Sequence, residues 1–224
     1  MSELETDVLD SDTLTEALKR HSIELAPEHV KQLDRYCKLV WEWNTKLNLT
    51  RHTDYEKFVS RDLVDSLELS KLLGEGEEVL DVGSGGGVPG IPLAILRPDL
   101  HLALCESVGK KATVLETIIR ELRLPTPIYN CRVEDLLGDF RFDVLVARAV
   151  GPLWKMLSWL EPKWHCIGRL LAMKGPKWPE ERGEARHRGY MGKLSLRVAA
   201  SYPMAGTESD SVILKIWPKG SPER

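Results

Sequence analysis

The residues best suited to chemistry lie in a glycine-rich stretch that follows a short apolar run. Residues 79–82 are strand-like, and residues 83–87 then read Gly-Ser-Gly-Gly-Gly. Glycines at such a turn let the backbone bend sharply and approach a ligand closely. Asp81 stands two positions before the first glycine, and Glu106 ends the next apolar run. The stretch therefore predicts a ligand-binding loop with two carboxylates beside it.

The loop does not complete the Gly-x-Gly-x-x-Gly fingerprint of dinucleotide-binding proteins. Counted from Gly83, the third glycine of that fingerprint would fall at Val88. The loop resembles instead the Gly-x-Gly-x-Gly loop of class I S-adenosylmethionine-dependent methyltransferases, which an acidic residue precedes. The resemblance implies that residues 83–87 wrap the cofactor and that Asp81 interacts with its ammonium end, directly or through water. It also implies that Glu106 accepts hydrogen bonds from both ribose hydroxyls.

The elements that must position this loop follow from the periodicity of the chain. The first seventy or so residues are helical in pattern. Thr13 with Glu16 resembles a capping box at the start of a short helix, and Pro27 suits the first turn of a second. A third helical stretch runs from residue 58 to 73 and stops at Gly74. The pattern predicts an N-terminal helical lobe over residues 1–74.

After residue 76 the pattern changes to short apolar runs separated by helical segments. Strand-sized runs cover residues 78–82, 101–105, 127–131, 142–147 and 168–173, and helical segments cover residues 88–97, 110–122 and 153–160. This alternation predicts parallel strands with right-handed crossovers. Residues 196–202 and 212–217 have no helix between them and are expected to pair antiparallel at an edge.

The alternation therefore predicts an α/β fold with a Rossmann-like doubly wound sheet, mostly parallel with an antiparallel edge, plus the helical lobe. The resemblance of the glycine loop implies that this sheet is of the class I methyltransferase type. We predict a cofactor-binding methyltransferase domain over residues 75–224 that forms one compact unit with the lobe. Ligands are expected at the carboxyl ends of the early strands.

Composition excludes several other classes of protein. The chain has 224 residues, of which 42% are hydrophobic and 29% charged, so it is neither disordered nor low in complexity. Its four cysteines form no Cys-x-x-Cys pair and its six histidines fall at unrelated spacings, so neither disulfides nor a metal site are expected. No signal pattern or bilayer-length apolar run is found, which predicts a cytoplasmic protein without a membrane partner.

The charge is unevenly distributed although the net charge is only −3. Residues 1–30 are acidic, whereas Lys and Arg predominate in residues 148–197. The basic half is suited to face a polyanion, because partners respond to local fields rather than to the sum. Trp178, between Lys177 and Pro179, is expected in an exposed loop, where it would stack on a base.

Two kinds of methyl acceptor are disfavoured by missing motifs. Enzymes that methylate an exocyclic amine commonly carry an Asn/Asp/Ser-Pro-Pro-aromatic turn after the fourth strand, where this chain has Ala147-Arg148-Ala149-Val150. Cytosine-C5 enzymes need a nucleophilic cysteine, usually beside proline, and no cysteine here has that setting. The acceptors that remain need no deprotonation and no covalent help, and guanine N7 is one of them.

Seven motifs in order make the resemblance specific. They are Trp43-Asn44-x-x-x-Asn48-Leu49-Thr50, Asp65-Ser66, the loop of residues 81–93, Glu106-Ser107-Val108-Gly109-Lys110-Lys111, Arg132-Val133-Glu134, Arg148-Ala149 and Lys174-Gly175. Together they resemble the glucose-inhibited division protein B (RsmG) family, the bacterial 16S ribosomal RNA guanine-N7 methyltransferases. The similarity spans roughly residues 13–217. It implies a methyltransferase whose partner is 16S ribosomal RNA or the 30S particle, and we expect a monomer.

The family resemblance also implies roles for particular residues. The cofactor would be contacted by Asp81, Gly83, Ser84, Gly85, Gly87, Val88, Glu106, Val133, Glu134 and Arg148. The candidate catalytic residues are Arg132, Arg148 and Lys174. Arg132 and Lys174 are candidates to hold phosphate or guanine O6, and the alternative for these cations is an ion pair with Glu134 or Asp135. A separate argument concerns Asn48, which lies just after the long predicted helix. If that segment folds back over the loop, Asn48 would contact the substrate at the mouth of the pocket; the alternative is that it caps a helix.

Two departures from the family pattern leave other functions open. The family usually has Arg-His before its Asp-Ser pair and an arginine before its last strand, whereas this chain has Arg61-Asp62 and Asp210. Negative charge at these positions is expected to repel RNA phosphates. The alternatives are a methyltransferase that acts on a small molecule or a protein, and a module that binds the cofactor without turnover.

Overall fold

The N-terminal helices begin where their capping residues predict. The computed structural model describes residues 12–221, so four of the eight acidic residues in residues 1–30 lie outside the described part. The hydroxyl of Thr13 accepts from the Glu16 amide, and the Glu16 carboxylate accepts from the Thr13 amide, which opens α1 (Leu14–Arg20). Helix α2 (Pro27–Asn44) has its proline at the first position. The predicted capping box and Pro27 start are confirmed.

The third helical stretch is not one regular helix. It consists of α3 (Tyr55–Lys57), a π-helix (Phe58–Leu63) and α4 (Val64–Ser70). It starts earlier than predicted because the Asp54 carboxylate accepts from the Lys57 amide at 2.7 Å and caps the first turn. The π-helix buries Asp62 in the protein interior. Such wide turns often occur at functional sites.

A seven-stranded sheet forms the centre of the fold, in the order β3-β2-β1-β4-β5-β7-β6. Its strands are β1 (Glu78–Val82), β2 (His101–Cys105), β3 (Ile128–Tyr129), β4 (Phe142–Arg148), β5 (Ile167–Lys174), β6 (Leu194–Pro203) and β7 (Asp210–Pro218). The first five are parallel, and β7 pairs antiparallel with both β5 and β6. The predicted fold class is confirmed, although β3 is shorter than expected.

Helices cover both faces of the sheet. They are α5 (Gly90–Leu96), α6 (Gly109–Leu122), α7 (Val133–Leu136), α8 (Leu153–Leu160), a 3-10 helix (Glu161–Cys166) and α9 (Trp178–His187). The helical lobe, α5 and α6 share one apolar cluster with one face of the sheet, whereas α7, α8 and α9 pack on the other face. No helix within residues 12–221 has the length and apolar character that a bilayer crossing requires.

The expectation of an exposed loop at Trp178 is wrong. This residue begins α9, is only partly exposed and packs against the second apolar cluster. Pro179 at the second helical position favours a helix start rather than a loop. The sequence also did not predict α7 or α9.

Candidate functional site

The glycine loop lies at the point where the strand order reverses. From β1 the chain runs outward to β2 and β3, and it then returns to the other side of β1 as β4. Open α/β sheets bind ligands in the crevice at such a point. Gly83 and Gly85 have φ of +67° and +57°, which side chains rarely adopt. A Cβ at Gly85 would have only the Gly83 carbonyl oxygen, at 3.8 Å, as a near neighbour. The inner side of the loop therefore opens onto a cavity.

Glu106 joins the loop after β1 to the loop after β2. Its side chain is 5% exposed. One carboxylate oxygen accepts from the Gly85 amide at 2.9 Å, and the other accepts from the Val108 amide at 2.8 Å. Because a carboxylate offers about four lone-pair sites, each oxygen keeps the capacity to accept a further hydrogen bond. The geometry presents a fixed, pre-oriented acceptor pair of the kind that binds a diol.

Asp81 lies beneath the loop and is fully buried. Its Oδ2 accepts from the Gly90 amide at 3.1 Å, at the start of α5. Burial raises the pKa of Asp81 to about 7, while the hydrogen bonds from Ser84 and Gly90 oppose the rise. A Cβ at Gly90 would lie 2.6 Å from this carboxylate, so a glycine is required where α5 meets it. A contact between Asp81 and the cofactor ammonium remains a prediction.

Three neighbouring cavities form one crevice along the carboxyl edge of the sheet. The loop cavity, of about 230 Å³, lies between the glycine loop and the helical lobe. The Glu134 cavity, of about 340 Å³, shares Gly83 with it. The Lys174 cavity, of about 400 Å³, shares three lining residues with the loop cavity, namely His52, Arg148 and Ala149. Two ligands held in neighbouring cavities can therefore meet at Arg148.

The helical lobe closes the loop cavity from above. The Tyr36 hydroxyl donates to the Gly86 carbonyl at 2.8 Å. A Cβ at Gly86 would lie 2.9 Å from the Leu49 carbonyl oxygen, so only glycine lets the lobe come this close. Asn44, rather than Asn48, organises this turn, because its Oδ1 accepts from the Leu49 and Thr50 amides at 2.8 and 3.0 Å. Asn48 is exposed and does not line the cavity, whereas its chain neighbours Leu49 and Thr50 do.

Arg148 is the most constrained cation of the crevice. It ends β4, and its guanidinium donates to the carboxylates of Asp62 and, at 3.1 Å, Asp65. Burial by itself lowers the pKa of Arg148, but the two carboxylates raise it above its ordinary value. The ring of His52 contacts Asp62 at 2.8 Å, and the Tyr202 hydroxyl donates to Asp65 at 2.8 Å. The guanidinium is thereby fixed between the loop cavity and the Lys174 cavity.

This arrangement corrects the expectation for Asp62. Its side chain is buried and faces Arg148 and His52, so it is not a surface charge that repels RNA phosphates. Asp210, by contrast, is exposed at the start of β7, where Oδ2 accepts from the Ser201 hydroxyl at 3.0 Å. The charge of Asp62 is compensated inside the protein.

The two other candidate cations differ sharply in exposure. The side chain of Lys174 is 8% exposed, and its Nζ donates to the Gly151 carbonyl at 2.6 Å and to Glu181 at 2.7 Å. Arg132 is 74% exposed and lies 4.0 Å from Glu134. Arg132 thus lies near Glu134, one of the two partners named in the ion-pair alternative, whereas Lys174 pairs with Glu181 and not with Glu134 or Asp135. Lys174 is a fixed donor, whereas the exposed side chain of Arg132 is free to follow a ligand.

The structure brings most of the predicted residues to the crevice. Those that line one of its three cavities are Gly83, Ser84, Gly85, Val88, Glu106, Arg132, Val133, Glu134, Arg148 and Lys174. Trp178 packs in the second apolar cluster instead. Sequence reasoning missed His52 and Tyr202 as crevice residues, since neither stands in a motif. Among residues 12–221, no group of three or more His, Cys, Asp or Glu side chains is placed to hold a metal ion.

Comparison with protein families gives one match over most of the chain. The family model described as rRNA small subunit methyltransferase G (GidB) matches residues 29–202. The chain is 55% identical over 188 residues to Ribosomal RNA small subunit methyltransferase G of Rhodopirellula baltica, with 84% of this chain and 81% of that protein covered. It is 37% identical over 206 residues to the protein of the same name from Cronobacter sakazakii, with 91% and 97% covered.

Solved structures share the fold at low sequence identity. A crystal structure of a mutant of MtNAS in complex with S-adenosylmethionine has a TM-score of 0.56 and 14% identity, and covers 92% of this chain and 78% of that one. A putative transferase, PH0793 from Pyrococcus horikoshii, has a TM-score of 0.54 and 15% identity, with 70% and 64% covered. These similarities concern the fold alone.

Proposed function

Since this chain belongs to the rRNA small subunit methyltransferase G family, we propose that it methylates N7 of a guanine in the 16S ribosomal RNA of the small ribosomal subunit, with S-adenosylmethionine as the methyl donor. The observation that carries this proposal is the junction at Arg148, which lines both the cavity beside the glycine loop and a neighbouring cavity lined by the cation Lys174. Donor and acceptor bound on the two sides would face each other there.

The residues around the glycine loop fit the cofactor. Glu106 presents two fixed acceptor oxygens for the ribose hydroxyls, and the open inner side of the loop at Gly85 leaves room for the ligand. We assign Val133 and Glu134 to the adenine end, because they line the cavity on the far side of Gly83. Arg148 is assigned to the methionine end, together with the backbone of Ser84 and Val88. When bound, S-adenosylmethionine supplies a methyl group on a cationic sulfur that is open to in-line displacement.

The chain contributes to the reaction chiefly by positioning. Guanine N7 has an in-plane lone pair, so no residue needs to remove a proton from it. Holding donor and acceptor in line converts a bimolecular step into an effectively unimolecular one. The carboxylates of Asp62 and Asp65 fix Arg148, and the Tyr36 hydrogen bond to the loop holds the lobe over the cavity and limits the entry of water.

The RNA contacts that we propose follow exposure and charge. Arg132 is exposed and suits a backbone phosphate, whereas the fixed ammonium of Lys174 suits guanine O6. Asn48 is proposed to contact RNA at the mouth of the crevice. The partly buried position of Trp178 disfavours a stacking role for its ring. We further propose that the protein acts as a monomer in the cytoplasm, and that residues 1–74 and 75–224 work as one unit.

The decisive test measures the modified nucleoside. Ribosomal RNA from cells that lack this protein is digested and analysed by mass spectrometry, and purified protein is assayed with tritiated S-adenosylmethionine on 30S particles and on naked 16S RNA. We expect loss of N7-methylguanosine in the cells, restored by the wild-type gene but not by a Glu106→Ala variant. An unchanged N7-methylguanosine content would exclude the proposed substrate. Tight cofactor binding without methyl transfer would favour a non-catalytic binding module.

A further inference from the structure

The Lys174 cavity contains a carboxylate as well as a cation. Asp65 and Lys174 both line it, and at about 400 Å³ it is roomy enough for a purine base. Guanine carries an acceptor at O6, and beside it two donors, N1–H and the N2 amino group. A cation and a carboxylate in one cavity match this pattern, because the ammonium can only donate and the ionised carboxylate can only accept.

Asp65 is held rigidly but is not saturated. One oxygen accepts from the Tyr202 hydroxyl at 2.8 Å, and the other accepts from Arg148 at 3.1 Å. These two bonds use about half of the lone-pair sites of a carboxylate. The side chain is 18% exposed, and the residue lines the Lys174 cavity. A carboxylate that is already held in place can accept further hydrogen bonds from the edge of a base with little loss of conformational entropy on binding.

The other carboxylates near the crevice are less suitable. Glu181 also lines the Lys174 cavity, but its charge is compensated one to one by the ammonium of Lys174, whose Nζ lies 2.7 Å from Oε2. Asp62 lines the loop cavity and contacts His52 and Arg148. Arg148 also pairs with Asp65, so one guanidinium charge is shared between the carboxylates of Asp62 and Asp65. Asp65 is the carboxylate that combines incomplete compensation with a position on the acceptor side.

The charge change in the reaction favours an anion at this position. Methyl transfer moves one positive charge from the sulfonium of the donor to the purine ring of the acceptor. A carboxylate that contacts the ring binds the methylated, cationic base better than the neutral base, and such differential binding lowers the barrier. A carboxylate that faced phosphates would instead weaken RNA binding.

We infer that Asp65 accepts hydrogen bonds from N1–H and the N2 amino group of the acceptor guanine, while Lys174 faces O6. Asp65 is then the residue that selects guanine for methylation. Adenine would place an amino group against Lys174 and would offer Asp65 no donor at N1. The inference rests on the proposed function, since it concerns the acceptor of that same reaction.

The test pairs a change in the protein with a change in the base. The methylated guanine is first mapped with the wild-type protein, and 30S subunits are then reconstituted with 16S RNA that carries either guanine or inosine at that position. Inosine retains O6, N1–H and N7 but lacks the N2 amino group. Single-turnover rates with tritiated S-adenosylmethionine at saturating concentration are compared for the wild type, Asp65→Asn and Asp65→Ala.

The wild type is expected to prefer guanine over inosine by about 10-fold to 100-fold, the range for one hydrogen bond to a charged acceptor. In Asp65→Ala this ratio should fall to about threefold or less, whereas Asp65→Asn keeps one acceptor oxygen without the charge and should retain an intermediate ratio. Asp62→Asn is the matched control, because it removes the other carboxylate at Arg148 and should preserve the wild-type ratio even if the rate falls.

Several results would overturn the inference. If the wild-type protein methylates inosine as fast as guanine, the N2 contact is excluded without the need for any variant. A guanine-to-inosine ratio that is unchanged in Asp65→Ala also excludes it, as does an equal loss of the ratio in Asp62→Asn. If wild-type protein does not methylate guanine-containing 30S subunits at all, the proposed function fails and not only the role of Asp65. The wild-type comparison tests the inference even if the Asp65 variants fail to fold. Tyr202→Phe removes one hydrogen bond to Asp65 but keeps the carboxylate, so it should retain most of the preference for guanine over inosine.

Discussion

Replacement of Asp81 by asparagine should stabilise the protein in a pH-dependent way. Burial raises the pKa of Asp81 from 3.8 to about 7 in the native state. Between these two values the unfolded chain releases a proton that the native protein retains, so stability falls as the pH rises through this window. Asparagine does not ionise, and its amide oxygen can still accept from the Gly90 amide. The wild type loses native stability because the Asp81 carboxyl ionises more easily in the unfolded chain than in the native protein. Asp81→Asn avoids this loss.

The size of the effect follows from the two pKa values. Each pH unit between them corresponds to about 1.36 kcal/mol. The ionisation of Asp81 should then cost about 1 kcal/mol of native stability at pH 4.5 and about 4 kcal/mol at pH 7.5, above which it levels off. Asp81→Asn should gain roughly these amounts. A carboxylate retained at such a cost is typical of functional sites, where stability and activity oppose each other.

Urea denaturation at several pH values measures this gain. Unfolding midpoints of the wild type and Asp81→Asn are compared from pH 4.5 to pH 7.5 without cofactor. Asp139→Asn, at an exposed position, serves as the control and should change stability by less than about 0.5 kcal/mol at either pH. An Asp81→Asn variant that is no more stable than the wild type at pH 7.5, or whose gain does not grow with pH, would refute the reasoning.

Two further predictions concern the glycine loop and its carboxylate partner. Glu106→Gln places an amide NH₂ against the Gly85 or Val108 N–H and removes the charge, so we expect a 10-fold to 100-fold rise in the Kd for S-adenosylmethionine by isothermal titration. The exposed Glu116→Gln on α6 should leave the Kd unchanged, and a Kd within twofold for Glu106→Gln would contradict the ribose assignment. Gly90→Ala adds a Cβ 2.2 Å from a leucine side chain and should cost about 1–3 kcal/mol in urea denaturation. At Gly183 on α9 an added Cβ would have no neighbour within 4 Å, so Gly183→Ala should instead stabilise the protein by about 0.5–1 kcal/mol. If the two glycine variants changed stability equally, the loss in Gly90→Ala would not be due to overpacking.

Local sequence signals predicted the parts of the fold that depend on neighbouring residues. The Thr13 capping box, the Pro27 helix start and the turn at residues 83–87 each involve contacts within a few positions along the chain. The alternation of strand and helix then predicted a parallel sheet with its crevice at the carboxyl edge, because right-handed crossovers leave few other arrangements. The resemblance to known methyltransferases, rather than these local signals, implied that Glu106 and Arg148 lie near the loop, and both line the cavity beside it.

Local signals failed where helix-breaking and helix-forming residues compete. Residues around Trp178 contain two prolines and several charges, which favoured a loop, yet Pro179 occupies a helical position where its missing amide hydrogen costs nothing. The π-helix that buries Asp62 has no pattern of its own, because its residues also fit an ordinary helix. The prediction that Asp62 repels RNA was wrong because the residue is buried, and burial cannot be inferred from charge alone.

The sequence by itself determined the fold class, the ligand loop and the family of reaction, because spacing and turn chemistry are local properties. Only the tertiary structure decided which charges meet. Arg148 pairs with Asp62 across 86 positions of the chain, and Tyr202 reaches Asp65 across 137. Such partners are selected by packing of the helical lobe on the sheet, and periodicity carries no information about contacts at that separation. The Lys174 cavity is therefore a product of the packed structure, whereas the glycine loop was already evident in the order of residues.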